Sequence, residues 1–311
     1  MWGERVWERK REELTFYRRR TPEKTPLYRI VYRERDNLPR LWEECFQQKY
    51  GVLRNEVLET LDAYLNCGIL AHGVARAECE SCKHSIVIAF SCKKRGVCPS
   101  CAAKRAVIFA EHLHDKVLAP VPQRHIVFSI PKRLRVFFRY DRSLNSILFH
   151  AAWESLVALH PHGKPGAVLA LQSAGESLNF NPHLHGIVSA GSFNKEGLFI
   201  EQSLDTSKAT ELFAHGVLAA LKEKGLIDEA VIEQILSQAH TGFSAWVGEK
   251  IPPQDAGYRL FLGRYLDRGP VSNAKLIITD DIISLETDLP PKKWTHFRGK
   301  IRLKFKDSPA L

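Results

Sequence analysis

No apolar run in this chain of 311 residues approaches the roughly 20 that a membrane-spanning helix needs. Its start, MWGERVWERKREEL, is charged throughout and lacks the apolar stretch and small-residue cleavage site of an export signal. The expectation is therefore a cytoplasmic protein with no membrane partner. There is no internal repeat, so the chain is read as ordinary globular domains. Seven cysteines without an export signal argue against a disulfide framework, and five of them fall between residues 79 and 101, which argues for metal.

What is present begins with charge. Forty-five Lys and Arg outnumber 35 Asp and Glu, for a formal net charge of +10. Such an excess favours a polyanionic partner through counterion release, although many basic proteins bind nothing in particular. The length suits two domains. Residues 1–26, with RRRTPEKTP near their end, read as a basic arm. Residues 27–119 read as a helical, cysteine-bearing domain, and the Ala-Pro-Val-Pro segment marks its end. Residues 120–311 read as a second domain of α+β class.

Within the second domain, RHIVFSI alternates as a half-buried strand does and stops at Pro131. Residues 141–159 form a core helix with Asp141 as its cap. AVLALQ and HLHGIVSA read as strands around a turn-rich segment, and GLFI suggests a third. Helices are expected near 207–224, 228–238 and 258–268, the last stopped by Gly269-Pro270.

Three groups of residues carry chemistry. Cys79-x2-Cys82 and Cys98-x2-Cys101, fifteen residues apart, can gather four thiolates on a tetrahedral zinc ion. Free buried thiols or a redox pair are the alternative. Cys92 reads as a packed thiol and His84 as a substitute ligand. Lys93, Lys94 and Arg95 beside this motif could meet phosphates or form a solvated basic face. Second, His183 and His185 on one strand project from the same face and can chelate a divalent cation, where a lone His-x-His is otherwise structural. Third, Tyr265 lies between Arg264 and Arg268. A tyrosine can attack a phosphodiester and hold it covalently, or it can simply pack its ring with the hydroxyl in solvent.

Taken together, CESCKHSIVIAFSCKKRGVCPSC, RHIVFSIPKRLR, LQSAGESLNFNPHLHGIVSAG and LGRYLDRGPVSNAKL resemble the zinc-containing rolling-circle transposases of the IS ninety-one family. Their nuclease domain belongs to the HUH superfamily. The resemblance implies a ferredoxin-like or RRM-like nuclease after the zinc domain. It implies Mg²⁺ or Mn²⁺ on His183 and His185, with Gln172 as third ligand and Glu176 as its competitor. It implies Tyr265 as the nucleophile that forms a 5′-phosphotyrosine on single-stranded transposon DNA; from their position on either side of it, Arg264 and Arg268 are expected to bind phosphate. Many members have two tyrosines four residues apart, and this chain has Phe261 in the first place. Tyr258 does not match the motif. Relatives generally continue past KDSPAL, so a shortened copy that only binds DNA is the competing reading. A plasmid-type replication initiator would use the same chemistry, but the cysteine lobe argues against it.

Overall fold

The structure is a computed structural model, and it describes residues 20–175, 178–279, 282–286 and 300–304, with side chains described as far as 276 except at 275. The expected arm therefore lies mostly outside the described residues, as do Glu176 and KDSPAL. Contacts divide the chain into two compact units, residues 1–105 with 269–311, and residues 106–268. The proline segment at 119–122 is not where they divide. A boundary inside a helix arises because Phe109, late in that helix, and Leu113, just after it, pack into a core of the second unit.

In the first unit, helices α1 (Pro26–Glu34), α2 (Leu38–Cys45), α3 (Gln47–Tyr50) and α4 (Asn55–Leu65) precede a hairpin of β1 (Val74–Glu78) and β2 (Ser85–Ala89). Arg35 ties α1 to α4 by donating to both carboxylate oxygens of Asp62, at 2.6 Å each. Leu27, Tyr28 and Val31 of α1 pack around Tyr64 and Cys67 at the end of α4. Helix α5 (Pro99–His112) leaves this unit, and a π-helical turn, Leu113–Val117, follows it.

The second unit is an α+β layer. Its elements are β3 (Gln123–Ser129), α6 (Arg135–Tyr140), α7 (Asn145–Ala158), β4 (Ala167–Ala174), β5 (Phe180–Ser189), β6 (Gly191–Phe193), β7 (Phe199–Glu201), α8 (Thr206–Glu223), α9 (Glu229–Leu236), β8 (Ser244–Ile251) and α10 (Ala256–Leu266). After it, β9 (Leu276–Thr279), β10 (Ile282–Glu286) and β11 (Lys300–Lys304) form a three-stranded antiparallel sheet of the first unit. The expected strands and helices of residues 123–266 are present. Strand β8 was not expected, and Asp141 caps a 3₁₀ turn at Arg142–Leu144 just before α7 rather than α7 itself.

Strands β4, β5, β3 and β8 make a four-stranded antiparallel sheet in that order. Alternation gives the sheet two unlike faces. Ile126, Phe128, Leu169, Leu171, Leu184, Val188, Ala245 and Val247 pack on α7 and α8 in the main core. The opposite face carries Val168, Ala170 and Ile187, which meet α10 through Leu262 and Leu266. Gly186 in β5 must lack a side chain, because a Cβ there would lie 2.5 Å from Leu169 Cδ2 and 3.0 Å from Ile126 Cγ2. Among the described residues no helix is long and apolar enough to cross a membrane.

Phe128 is 1% exposed and its ring stands 4.8 Å from that of Phe213 on α8. Removing a buried phenyl ring costs the transfer energy plus a cavity, so Phe128→Ala should lower stability by ~3–5 kcal/mol. Urea unfolding followed by tryptophan fluorescence checks this, and a loss below ~1 kcal/mol would mean the site can collapse or is not core.

Candidate metal centre and candidate active site

In the first unit, Cys67, Cys92, Cys98 and Cys101 converge, with their sulfur atoms all within 4.8 Å of one another. Three Sγ–Sγ separations, Cys67 to Cys101, Cys92 to Cys101 and Cys98 to Cys67, are each 3.7 Å. Tetrahedral zinc with Zn–S bonds near 2.3 Å requires sulfur edges of ~3.8 Å, so this set fits the ion. Without an ion, the cluster shares its protons unevenly. Hydrogen bonding from Cys98 lowers Cys67 to about 4, while burial raises Cys92 to about 11 and the Cys67 sulfur pushes Cys98 up. A divalent cation would favour the thiolate at all four.

The spacing had paired Cys79 and Cys82 with Cys98 and Cys101, and the structure does not bring that set together. Cys79 and Cys82 are exposed at the tip of the β1–β2 hairpin, where Cys79 N–H donates to His84 O at 2.9 Å. Five residues of strand carry the tip ~17 Å from the hairpin base. Cys92 follows that base, and its N–H donates to Cys67 Sγ at 3.3 Å. Backbone hydrogen bonding at the tip lowers Cys79 to about 6. Cys67 was missed because it stands alone, outside any CxxC pair. Lys93, Lys94 and Arg95 are exposed on the loop after Cys92.

In the second unit the sheet face beneath α10 gathers the other residues. His183 and His185 lie side by side on β5 with rings 4.8 Å apart. His183 Nδ1 donates to Asn181 O at 2.6 Å, which leaves its Nε2 with a lone pair. Gln172 pairs with His183 across β4 and β5, and its Nε2 donates to Tyr265 O at 3.0 Å, leaving Oε1 as an acceptor. The Tyr265 ring stands 5.0 Å from His185 and 5.6 Å from His125, edge-on to both. Arg268 donates to the Tyr265 hydroxyl at 3.1 Å and lies 3.9 Å over its ring.

These elements have local causes. Asp255 caps α10 by accepting from Tyr258 N–H. Buried Arg259 fastens α10 to Leu118 O, Ala119 O and Pro253 O at 3.1–3.3 Å. Gly263 lets α10 approach α5, since a Cβ there would lie 2.9 Å from Ala110 Cα. Arg264 is exposed on α10. His125 and the half-exposed Trp246, 5.3 Å from it, also belong to this face. Neither was picked out as a site residue, although the alternation of Ile126, Phe128 and Ile130 had already turned His125 to the opposite side.

Burial keeps all three imidazoles neutral at pH 7. It lowers His125 to about 4 and His185 to about 3, with the Arg268 charge adding to both, and it lowers His183 as well.

Residues 38–130 match the family described as "Transposase zinc-binding domain", and residues 166–289 match the family described as "Putative transposase". This chain belongs to the IS ninety-one family of insertion-sequence transposases. It is 34% identical over 162 residues to "Transposase for insertion sequence element IS801" of Pseudomonas savastanoi pv. phaseolicola, which covers 51% of this chain and 38% of that protein. It is 23% identical over 275 residues to "Putative transposase y4qJ" of Sinorhizobium fredii, covering 78% of this chain and 66% of that protein. The chain thus spans 38% and 66% of the lengths of these two relatives. No solved structure matches it significantly.

Two outcomes follow for this chain. Zinc measured by mass spectrometry should be lost in Cys67→Ser and Cys92→Ser and kept in Cys79→Ser; loss only in Cys79→Ser would return the ion to the hairpin tip. A histidine depressed on folding stabilises fully above its unfolded value of 6.5, and that contribution is lost as pH falls toward about 4 for His125 and about 3 for His185. Thermal melting of chelator-treated protein should therefore weaken below pH 6.5, and His185→Phe should flatten the decline. A wild-type slope no steeper than that of His185→Phe would show that these rings are solvated.

Proposed function

We propose that this transposase nicks and rejoins single-stranded transposon DNA through a covalent 5′-phosphotyrosine on Tyr265. The observation that supports this reading most is the placement of the Tyr265 ring 5.0 Å from His185, with its hydroxyl held by Arg268 at 3.1 Å. The structural class behind the proposal is a ferredoxin-like or RRM-like HUH nuclease, consistent with a central antiparallel sheet whose histidine strand faces a tyrosine helix.

The residues present suit a divalent cation, Mg²⁺ or Mn²⁺. His183 and His185 would supply imidazole nitrogens, both neutral at pH 7, and Gln172 would supply Oε1. When bound, the cation supplies charge stabilisation at the scissile phosphate and at the leaving oxygen. Tyr265 Oη attacks phosphorus, the bond from phosphorus to the 3′-oxygen breaks, and the phenolic proton is balanced by the proton on the released 3′-hydroxyl. Reversal by another 3′-hydroxyl rejoins the strand and frees the tyrosine. Arg268 holds the nucleophile's oxygen, and its guanidinium suits a phosphate oxygen as well. Arg264, exposed one turn earlier, is assigned to the DNA backbone beyond the cut. Lys93, Lys94 and Arg95 would bind phosphates from the zinc-bearing unit.

Labelled single-stranded DNA carrying the element's ends should give a denaturation-resistant adduct that maps to Tyr265. Tyr265→Phe should abolish the adduct, while Tyr258→Phe should retain it. A removed catalytic unit of this kind lowers cleavage by several orders of magnitude. An adduct on Tyr258 would overturn the nucleophile assignment, and tight DNA binding with no adduct on any residue would favour a chain that only binds.

A further inference from the structure

We propose that His125 is a positioning residue for His185. Its Nε2 accepts the Nδ1–H of His185 and so fixes the tautomer in which His185 Nε2 carries the free lone pair. The direction of this hydrogen bond rests on the cation reading above, because only that direction leaves His185 able to bind a metal through Nε2.

The geometry behind the proposal is specific. His125 Nε2 and His185 Nδ1 are 3.1 Å apart, and the two rings stack at 5.3 Å with planes 18° apart. One proton lies between two ring nitrogens at that distance, so one ring donates and the other accepts. His183 is held in the same way by its Nδ1–H to Asn181 O. If His185 donates too, both histidines of β5 present an Nε2 lone pair. A metal-ligating histidine usually donates its other N–H to an acceptor that sets its tautomer and orientation.

His125 is itself confined. Trp246 and Tyr265 meet it edge-on at 5.3 and 5.6 Å. The pairing of β3 with β8 shifts register between Arg124 and Ile126, directly at His125. The extra residue lies on β8, so β3 keeps its alternation and His125 stays on the face set by its pairing with Ile187. A direct ligand role fits less well. Among the described residues, the cysteine cluster is the group of three or more Cys, His, Asp or Glu whose ligand atoms lie within 4.8 Å of one another, and the three imidazoles do not form another.

The test uses the full chain, labelled with ¹⁵N-histidine and free of divalent cation. Two-bond proton–nitrogen NMR spectra should show His185 protonated at Nδ1, with His185→Phe identifying its signals. His125→Phe, which keeps a ring but removes the acceptor, should release that tautomer into a mixture. His125→Gln returns an acceptor near the same place and should restore it. Mn²⁺ titration followed by electron paramagnetic resonance should then show affinity weakened by about 10- to 100-fold in His125→Phe and largely recovered in His125→Gln. A wild-type His185 protonated at Nε2 overturns the proposal without any variant. So does a His125→Phe protein with unchanged tautomer and affinity. Equal, complete loss of Mn²⁺ in His125→Phe, His125→Gln and His185→Ala, with circular dichroism unchanged, would make His125 a ligand instead. If Mn²⁺ fails to bind wild type while the tautomer responds as expected, the cation reading falls and the positioning role stands.

Discussion

The pairing register of β4, β5 and β3 is the constraint on which the second unit depends. Leu184 and Val188, fully buried in the main core, alternate with His183 and His185. Their partners obey the same alternation: Val127 faces His185, Ser129 faces His183, and Gln172 faces His183 from the other side. A slip of one residue would turn the imidazoles into the packing of α7 and α8 and expose Leu184 to α10. Burial of apolar area on one face thus specifies the polar constellation on the other. Gly186 reinforces this, since only a missing side chain lets Leu169 and Ile126 close over that point of the strand.

Much of this arrangement was legible because it has a period. The strand of Ile126, Phe128 and Ile130, the His-x-His pair, and the helix of Tyr265 are local patterns with local signals. What lay outside the sequence's reach was partnership across distance. Cys67 and Cys92 sit in no paired motif, and only the hairpin of β1 and β2 explains why they meet Cys98 and Cys101 while the Cys79 knuckle is carried away. Strand β8 was missed for a different reason. Its run SAWVGEKI interrupts alternation with Gly248, Glu249 and Lys250, and the register shift opposite His125 is the structural counterpart of that interruption.

The same contrast applies to charge and rings on α10. Arg264 and Arg268 look equivalent in sequence, one on each side of Tyr265, yet Arg268 alone among the two has a contact to the tyrosine hydroxyl in the described structure. Phe261 occupies the position at which the family resemblance leads one to expect a first tyrosine, and its ring lies 6.4 Å from that of Tyr265 and 5.9 Å from that of Tyr258. The three rings follow one side of the helix at intervals of three and four residues. The aromatic surface is kept at 261 even though the hydroxyl is not.

Close approach at Gly263 has a consequence for how finely Tyr265 is placed. With a Cβ only 2.9 Å from Ala110 Cα, any larger residue would lift the helix axis from its neighbour, and Tyr265 stands two residues further along the same rigid rod. A displacement of that lever by the width of one methyl group is comparable to the tolerance for a reacting atom, where ~1 Å can cost about 100-fold in rate. On the proposed reading, the reach of Tyr265 is therefore gauged by an atom the sequence omits, and calibration of its placement resides in a helix crossing away from His183, His185 and Gln172.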